Sequence, residues 1–238
     1  MSGLKDKVII ITGAAGNLGR AVAARVQAHG GKMVLVERSD QHLKAAYGEL
    51  DDPAQHWLAG GVDMTDPKAV DAMVAEAHKR FARLDGLVNT VGGFRGGKPV
   101  HEADLSEWDF MYDINVRTAL HACRAVIPYL LRAQSGRIVN VASRNAFQGS
   151  PNYAAYSAAK TAVLRLTESL AGELKTRGIN VNCIVPGTID TPQNREAMPK
   201  ADFSTWVPPE DLARVVAFLL SDEARSVTGA AVPVYGRS

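Results

Sequence analysis

Short apolar runs alternate along the chain with longer segments in which apolar residues recur every three or four positions. Runs such as "KVIIIT" (7–12) contain few polar residues, as expected of strands that are buried on both faces. The longer segments indicate amphipathic helices that cover those faces. The alternation therefore predicts an α/β protein with a doubly wound parallel sheet and helices on both of its faces. The predicted strands are 7–12, 32–37, 56–62, 84–89, 136–143, 179–187 and 230–236, and the predicted helices are 17–30, 40–49, 67–82, 106–132, 153–177 and 209–220.

Length and charge narrow the class of protein. The 238 residues fit one large domain, which we expect to span residues 1–238. A net charge of +2, from 27 basic and 25 acidic residues, gives no reason to expect a nucleic-acid or membrane partner. The N-terminus lacks the apolar run of a signal peptide and no segment reaches membrane-spanning length, which predicts a cytoplasmic protein.

Cysteine and histidine spacing bears on metal and redox chemistry. Cys123 and Cys183 are far apart and form no CxxC motif, so buried free thiols in a reduced compartment are favoured over a disulfide or a zinc site. The six histidines show no metal-binding spacing. We expect no metal site.

A glycine-rich turn, "TGAAGNLG", follows the first predicted strand, with Gly13, Gly16 and Gly19 spaced three apart. Glycines at such a turn let backbone N–H groups approach a pyrophosphate at the N-terminus of the next helix. Glycine turns between a strand and a helix are common, so this spacing is weak evidence without the strand, the helix and an acidic residue further on. Asn17 and Leu18 complete the candidate phosphate-binding loop.

The required acidic residue is Glu37, at the end of the second predicted strand. A carboxylate there can accept hydrogen bonds from the ribose hydroxyls of adenosine and repels a 2′-phosphate. This favours NAD(H). Arg38 follows directly and could instead bind that phosphate or be a solvated surface charge, so NADP(H) is not excluded.

The stretch "YAAYSAAK" (153–160) contains the candidate proton donor. Tyr156 and Lys160 are four residues apart and share one face of a helix, whereas Tyr153 has Ser157 at that offset. A phenol, with an ordinary pKa of about 10, needs a nearby cation to exchange protons near neutrality, and Lys160 could supply it. Ser143 ends the preceding predicted strand, and Asn115 lies inside the long helix at 106–132, where a polar side chain can interrupt the helical hydrogen bonds.

Together these motifs resemble the short-chain dehydrogenase/reductase family over nearly the whole chain. The residues that carry the resemblance are Thr12 to Gly19, Asp63 in "GVDMTD", Asn89 in "LVNTVG", Asn115, Ser143, "YSAAK" and "PGTIDTP". The resemblance implies a Rossmann fold with strand order 3-2-1-4-5-6-7. It also implies a catalytic tetrad of Asn115, Ser143, Tyr156 and Lys160, and a homo-oligomer, as a tetramer or a dimer, built on the helices at 106–132 and 153–177.

The family mechanism assigns a role to each residue of the tetrad. Tyr156 would exchange a proton with the substrate oxygen, and Ser143 would orient that oxygen. Lys160 would lower the pKa of Tyr156 and bind the nicotinamide ribose, and Asn115 would support a water relay. Asp63 would meet the adenine, and the main chain after Pro186 and Gly187 would meet the carboxamide. The expected cofactor contacts also include Met64, Asn89, Gly92 and Ile189.

Two departures from the family pattern open an alternative. Asn17 occupies the usual position of the second glycine, and the usual "NNAG" is replaced by residues 89–92, "NTVG". Three segments, "GNLG", "VGGFRGG" and 190–213, look like those of dihydropteridine reductase, which uses NADH on a quinonoid pterin. That enzyme lacks the serine, whereas Ser143 is present here. We therefore expect a carbonyl/alcohol oxidoreductase first and a pteridine reductase second, with a nucleotide-sensing protein without turnover as a third reading.

Substrate-binding residues are predicted from their place in the chain. The segment at about 190–207 follows the sixth strand, where the family shapes its substrate pocket. Its Trp206 could wall a flat ring or only pack the lid. Arg144 could hold an anionic group of the substrate or form a surface ion pair. Phe94 and Tyr153 are the other candidates for contact with a small-molecule substrate.

Overall fold

The computed structural model describes residues 3–50 and 52–237, which contain seven strands in one sheet. The strands are β1 (Val8–Thr12), β2 (Lys32–Val36), β3 (His56–Ala59), β4 (Gly86–Asn89), β5 (Gly136–Val141), β6 (Ile179–Pro186) and β7 (Ala231–Val234). The helices are α1 (Asn17–Ala28), α2 (Asp40–Tyr47), α3 (Pro67–Phe81), α4 (Leu105–Tyr112), α5 (Thr118–Ala133), α6 (Ala154–Leu174), α7 (Pro192–Ala197) and α8 (Pro209–Leu220).

All strand pairs are parallel, and the order is β3-β2-β1-β4-β5-β6-β7, which confirms the predicted topology. The central strand β1 pairs with β2 on one side and with β4 on the other. Ile11, for example, lies opposite Leu35 and Val88. The direction of the strand order reverses between β1 and β4, and open α/β sheets bind ligands at the carboxyl ends of strands beside such a reversal.

Each face of the sheet carries its own apolar core, which explains why the strand sequences are apolar at nearly every position. Successive β1 side chains point to opposite faces. Val8 and Ile10 pack in the core that contains residues of α3 and α5, whereas Ile9 and Ile11 pack in the core that contains residues of α1 and α8. The α6 helix contributes Leu170 to the first of these cores.

The predicted helix at 106–132 is wrong as a single α-helix. The structure has α4, then a π-helical turn at Asp113–Arg117, then α5. Asn115, in that turn, donates its side-chain amide to the carbonyl oxygen of Met111 at 3.0 Å. A side chain that bonds a carbonyl four residues back competes with the helical backbone and widens the turn.

Other predicted elements also differ from the structure, three of them near the candidate site. Strand β5 ends at Val141, so Ser143 lies two residues beyond the strand rather than at its end. The helix predicted at 153–177 ends as an α-helix at Leu174 and continues as a 3-10 turn. The segment at 190–207 contains α7, which periodicity did not reveal because six residues are too short to show a helical period.

Gly19 is required by packing rather than by backbone conformation. A Cβ at this position would lie 2.3 Å from the carbonyl oxygen of Gly13 and 2.8 Å from the Cα of Ala14. We therefore expect Gly19→Ala to destabilise the protein by about 1–3 kcal/mol, a cost typical of forced overpacking. Thermal unfolding measures it as a decrease in Tm of several degrees.

Gly172→Ala is the matched control. Gly172 lies within α6 and has no atom within 4 Å of an added Cβ, so alanine should leave stability unchanged or raise it by up to about 1 kcal/mol. Equal Tm values for the two variants would contradict the packing explanation.

Candidate active site

Lys160 is buried between the carboxyl end of β5 and the first turns of α6, with 6% of its surface exposed. Its Nζ donates a hydrogen bond to the carbonyl oxygen of Val141 at 3.0 Å and lies 5.9 Å from the ring centroid of Tyr156. Because α6 holds both side chains four residues apart, the bond to Val141 also fixes the position of Tyr156.

Burial controls the protonation of both groups. Loss of solvent lowers the pKa of Lys160 to about 8. Burial also raises the pKa of Tyr156, and the hydrogen bond with Ser143 opposes this only in part. The family pattern led us to expect that Lys160 lowers the Tyr156 pKa, but in this structure burial decides the net direction. Tyr156 is therefore a protonated phenol near neutral pH.

Ser143 stands at the start of a 3-10 turn, Arg144–Ala146, which leads from β5 toward α6. Its Oγ accepts a hydrogen bond from the backbone N–H of Asn145 at 3.3 Å and is hydrogen-bonded to Tyr156. The serine hydroxyl and the phenol therefore face one another. Groups so placed can contact a single oxygen atom of a bound substrate.

Asn115 connects the π-helical turn to the loop after β4. Its Oδ1 accepts from Gly93 N–H at 3.2 Å, and its Nδ2 donates to Gly93 carbonyl oxygen at 3.0 Å. A Cβ on Gly92 would lie 3.0 Å from Asn115 Oδ1 and 3.3 Å from Lys160 Nζ. Asn115 and Lys160 thus both border Gly92, while the predicted water relay remains a prediction.

The glycine-rich turn forms a cradle at the N-terminus of α1. Gly13 has φ of 61°, a left-handed conformation that favours glycine, and Gly19 packs against the turn without room for a side chain. A groove of about 270 Å³ runs from Gly13 and Gly16 past the ends of β2 and β4. Its lining includes Glu37, Arg38, Asp63, Met64, Thr90 and Gly92. The glycine cradle at a helix N-terminus and this groove fit a dinucleotide.

The two acidic residues of this groove differ in how firmly they are held. The Asp63 carboxylate accepts hydrogen bonds from the Thr65 hydroxyl (2.7 Å) and N–H (2.8 Å), which lower its pKa. Glu37 Oε1 accepts from the backbone N–H of Arg38 at 2.9 Å, and the Arg38 side chain is exposed. Glu37 therefore presents a carboxylate at the end of β2, while Arg38 is exposed and also borders the groove.

Asn89 does not point toward the groove. Its Nδ2 donates to Asn140 Oδ1 at 2.8 Å, and Asn140 in turn donates to Thr167 Oγ1 at 2.9 Å. This side chain belongs to a buried polar link between β4, β5 and α6, and contact of Asn89 with a cofactor stays a prediction. Cys123 borders the link, and burial raises the pKa of its thiol to about 12.

The main chain after β6 is held by its neighbours. Gly187 N–H donates to the carbonyl oxygen of Val234 at 3.0 Å, and Ile189 pairs with Val207 in an isolated parallel bridge. Pro186 is the last residue of β6. Contact of this segment with a carboxamide stays a prediction.

Sequence patterns missed three residues that hold the glycine-rich turn and the start of α1. The Thr90 hydroxyl donates to the carbonyl oxygen of Thr12, and the Tyr47 hydroxyl donates to that of Ala14 at 2.7 Å. Gln193 of α7 accepts a hydrogen bond from Asn17 at 2.9 Å. Thr90 and Asn17 occupy the two positions at which the sequence departs from the family pattern. Those departures could have pointed to Thr90 and to the contact that Asn17 makes with Gln193. For Tyr47 and Gln193 we find no sequence signal.

The predicted substrate residues lie in three places. Phe94 and Tyr153 lie beside Tyr156, and Phe94 is 5.0 Å from each tyrosine ring. Trp206, only 7% exposed, packs against Phe203 at 4.8 Å, which favours a packing role in the lid. The Arg144 guanidinium lies over the ring of Tyr235 at 4.3 Å.

This combination of a parallel sheet, a glycine cradle and a tyrosine–lysine pair defines a class of nucleotide-dependent oxidoreductases. Comparison with known proteins identifies the family. The sequence profile described as short chain dehydrogenase matches residues 7–202. The chain therefore belongs to the short-chain dehydrogenase family, an oxidoreductase family that uses nicotinamide cofactors.

Individual relatives agree with this assignment. The chain is 34% identical over 247 residues to 2-(S)-hydroxypropyl-CoM dehydrogenase 3 of Xanthobacter autotrophicus, covering 98% of this chain and 96% of the relative. It is 34% identical to levodione reductase of Leifsonia aquatica, covering 97% and 93%. A crystal structure of levodione reductase matches with a TM-score of 0.91 at 33% identity, covering 98% and 97%. No helix in residues 3–50 or 52–237 is long and apolar enough to cross a membrane.

The depressed pKa of Lys160 predicts how stability depends on pH. The folded pKa is about 8 and the ordinary value is 10.5, so between these values the unfolded chain binds more protons. The free energy of unfolding contributed by this group should therefore rise with pH over this range, by up to about 1.4 kcal/mol per pH unit.

Urea unfolding of the wild type and Lys160→Met, measured without cofactor at several pH values from 8 to 10, isolates this effect. The stability of the wild type relative to the variant should increase with pH. Lys79→Met, which removes a lysine whose side chain is 82% exposed, should show no such trend. A difference between wild type and Lys160→Met that stays constant with pH would contradict the buried-cation assignment.

Proposed function

We propose that the protein is an NAD(P)-dependent oxidoreductase that transfers hydride between nicotinamide and a small carbonyl or alcohol substrate, with Tyr156 as proton donor and acceptor. One observation carries the proposal. The phenol of the half-buried Tyr156 is hydrogen-bonded to Ser143 and stands beside Lys160, which is buried with 6% of its surface exposed. Burial keeps the phenol protonated, which suits donation to a carbonyl oxygen that gains negative charge.

Each side chain has a defined part in carbonyl reduction. The nicotinamide, when bound, supplies the hydride that reaches the carbonyl carbon. Ser143 donates a hydrogen bond to the substrate oxygen and so orients that oxygen. Tyr156 transfers its proton to the same oxygen, and Lys160 stabilises the phenolate that remains. Asn115 holds the loop at Gly93 that borders Lys160. Alcohol oxidation follows the reverse steps.

We propose NAD(H) as the favoured cofactor. Glu37 offers its carboxylate at the end of β2, where the adenosine ribose hydroxyls are bound in this fold, and a 2′-phosphate would be repelled there. The exposed Arg38 is the one feature at this position that favours NADP(H). The phosphate-binding cradle would be formed by the loop from Gly13 to Gly19, and the carboxamide would meet the chain after Pro186.

The relatives support the carbonyl/alcohol assignment. One is named as the dehydrogenase of a hydroxypropyl compound and another as a reductase. The comparisons give no support to the resemblance to dihydropteridine reductase. The hydrogen bond between Ser143 and Tyr156 also favours a substrate whose carbonyl oxygen needs orientation.

We further propose a homo-oligomer, as a tetramer or a dimer. Its interface would be formed by α4, α5 and α6. The apolar side chains of Leu105, Tyr112 and Leu120 on α4 and α5 are exposed in the single chain, which supports an interface on this face.

The proton donor is tested by Tyr156→Phe, which keeps the ring and removes the hydroxyl. The substrates are a panel of ketones and, as the alternative substrate, quinonoid dihydropterin. Loss of NADH absorbance reports turnover of each. We expect the variant to lose about 10²–10⁴-fold in kcat, the range typical of general acid catalysis, while NADH still quenches tryptophan fluorescence. Tyr129→Phe, whose ring packs on His78 away from the site, is the matched control.

The outcomes of this assay separate the candidate functions. Turnover of ketones by the wild type, lost in Tyr156→Phe and kept in Tyr129→Phe, supports the proposal. Turnover of the pterin alone would favour the pteridine reductase. NADH binding without turnover of any substrate would favour a nucleotide-sensing protein.

Cofactor preference is tested at Glu37. The wild type should show a higher kcat/KM with NADH than with NADPH. Glu37→Ala removes the carboxylate that repels the 2′-phosphate and leaves Arg38, so the NADPH/NADH ratio of kcat/KM should rise by about tenfold or more. The double variant with Arg38→Ala should lose most of that gain. A ratio unaffected by Glu37→Ala would show that this carboxylate does not select the cofactor.

A further inference from the structure

The loop that follows β4, residues 91–97, is held at both ends beside the catalytic tyrosine. Asn115 makes two hydrogen bonds with the main chain of Gly93, and Gly97 N–H donates to the carbonyl oxygen of Asn152 at 2.9 Å. The guanidinium of Arg95 lies 3.6 Å from the ring centroid of Phe110. The loop therefore places Phe94, between these anchors, at a defined position.

Glycine permits this close approach. A Cβ on Gly96 would lie 2.7 Å from Cδ1 of Tyr153 and 3.0 Å from the carbonyl oxygen of Asn152. A side chain at this position would push the loop away from the start of α6. The distances from Phe94 to the two tyrosines therefore depend on the absence of a side chain at Gly96.

Phe94 meets two aromatic rings at nearly right angles. Its ring centroid is 5.0 Å from that of Tyr153, with an interplanar angle of 81°, and 5.0 Å from that of Tyr156, with an angle of 83°. We call Phe94 and Tyr153 the aromatic corner. Edge-to-face contacts of this kind are favourable arrangements for aromatic rings.

The aromatic corner remains open to solvent. Phe94 is 54% exposed and Tyr153 is 37% exposed, although both carry large aromatic rings beside the half-buried Tyr156. Exposed apolar surface next to polar catalytic groups is typical of the wall of a ligand site. Two rings at right angles offer one face and one edge to a third flat group.

We propose that Phe94 is a specificity-determining residue and that the aromatic corner selects carbonyl compounds that carry a ring beside the reacting group. A ring placed in the corner directs its carbonyl toward Tyr156, whereas an open chain makes fewer contacts with both rings. This inference rests on the proposed function, because it names the substrate class for the same site.

The test compares ring-bearing and open-chain ketones with equal numbers of carbon atoms. Acetophenone is paired with 2-octanone, and propiophenone with 3-nonanone, at saturating NADH. The wild type should prefer the ring-bearing member of each pair. In Phe94→Ala, kcat/KM should decrease about tenfold more for ring-bearing than for open-chain members, mainly through KM.

Phe94→Leu is the matched variant, because it keeps apolar bulk and removes the ring. We expect its preference for rings to fall nearly as far as in Phe94→Ala. If Phe94→Leu keeps the wild-type preference for ring-bearing ketones, apolar bulk rather than an aromatic ring is recognised. The proposed selection by the aromatic corner is then wrong. An equal decrease for both members of each pair, together with a shifted pH profile of kcat, would show that Phe94 only positions Tyr156, which also overturns the inference.

Failure of the proposed function is distinguishable from failure of this inference. If the wild type reduces no ketone of the panel, the proposed function fails and the inference fails with it. If it reduces both members of each pair equally well and Tyr156→Phe abolishes both reactions, the proposed function stands and only the selection by the aromatic corner is wrong.

Discussion

The burial of the Lys160 ammonium group is the constraint on which the candidate active site depends. An ammonium ion away from water needs a hydrogen-bond acceptor, and the carbonyl oxygen of Val141 at the end of β5 supplies it. That bond ties α6 to the sheet and places Tyr156 beside Ser143. The cost of burial is visible in the lowered pKa of Lys160, and the same exclusion of water raises the pKa of Tyr156.

The surrounding backbone is shaped to allow this close packing. The π-helical turn directs Asn115 at the loop after β4, and Gly92 leaves room between Asn115 and Lys160. Gly19 likewise leaves room for the backbone of Gly13 and Ala14 in the cradle at the N-terminus of α1. In both places a single methyl group would approach backbone or buried polar atoms too closely. The site is therefore built from rigid elements that end at the same edge of the sheet, with glycines where two segments must touch.

Some polar side chains near the carboxyl ends of the strands line the groove, whereas others link strands to one another and to α6. Asp63, Glu37 and Thr90 line the groove beside the glycine-rich turn, whereas Asn89 turns inward to Asn140 and links β4 to α6 through Thr167. The Asn89 side chain thus joins two strands and a helix, whether or not the residue also meets a cofactor. The Asn89 amide nitrogen finds its partner within the sheet, whereas its Oδ1 is buried without a hydrogen-bond partner among the described residues.

The sequence by itself determined the fold class and, through the family resemblance, the strand order, and it supplied the tyrosine, lysine, serine and asparagine as candidates for the site. It could do so because apolar strand runs, glycine spacing and a four-residue helical offset are local patterns. Only the tertiary structure decided the break in the helix at 106–132, the inward turn of Asn89, and the approach of Phe94 to two tyrosines. Those features depend on contacts between residues distant in sequence. The net direction of the Tyr156 pKa was also decided there, because burial is a property of the packed molecule and outweighs the effect that the motif alone suggests.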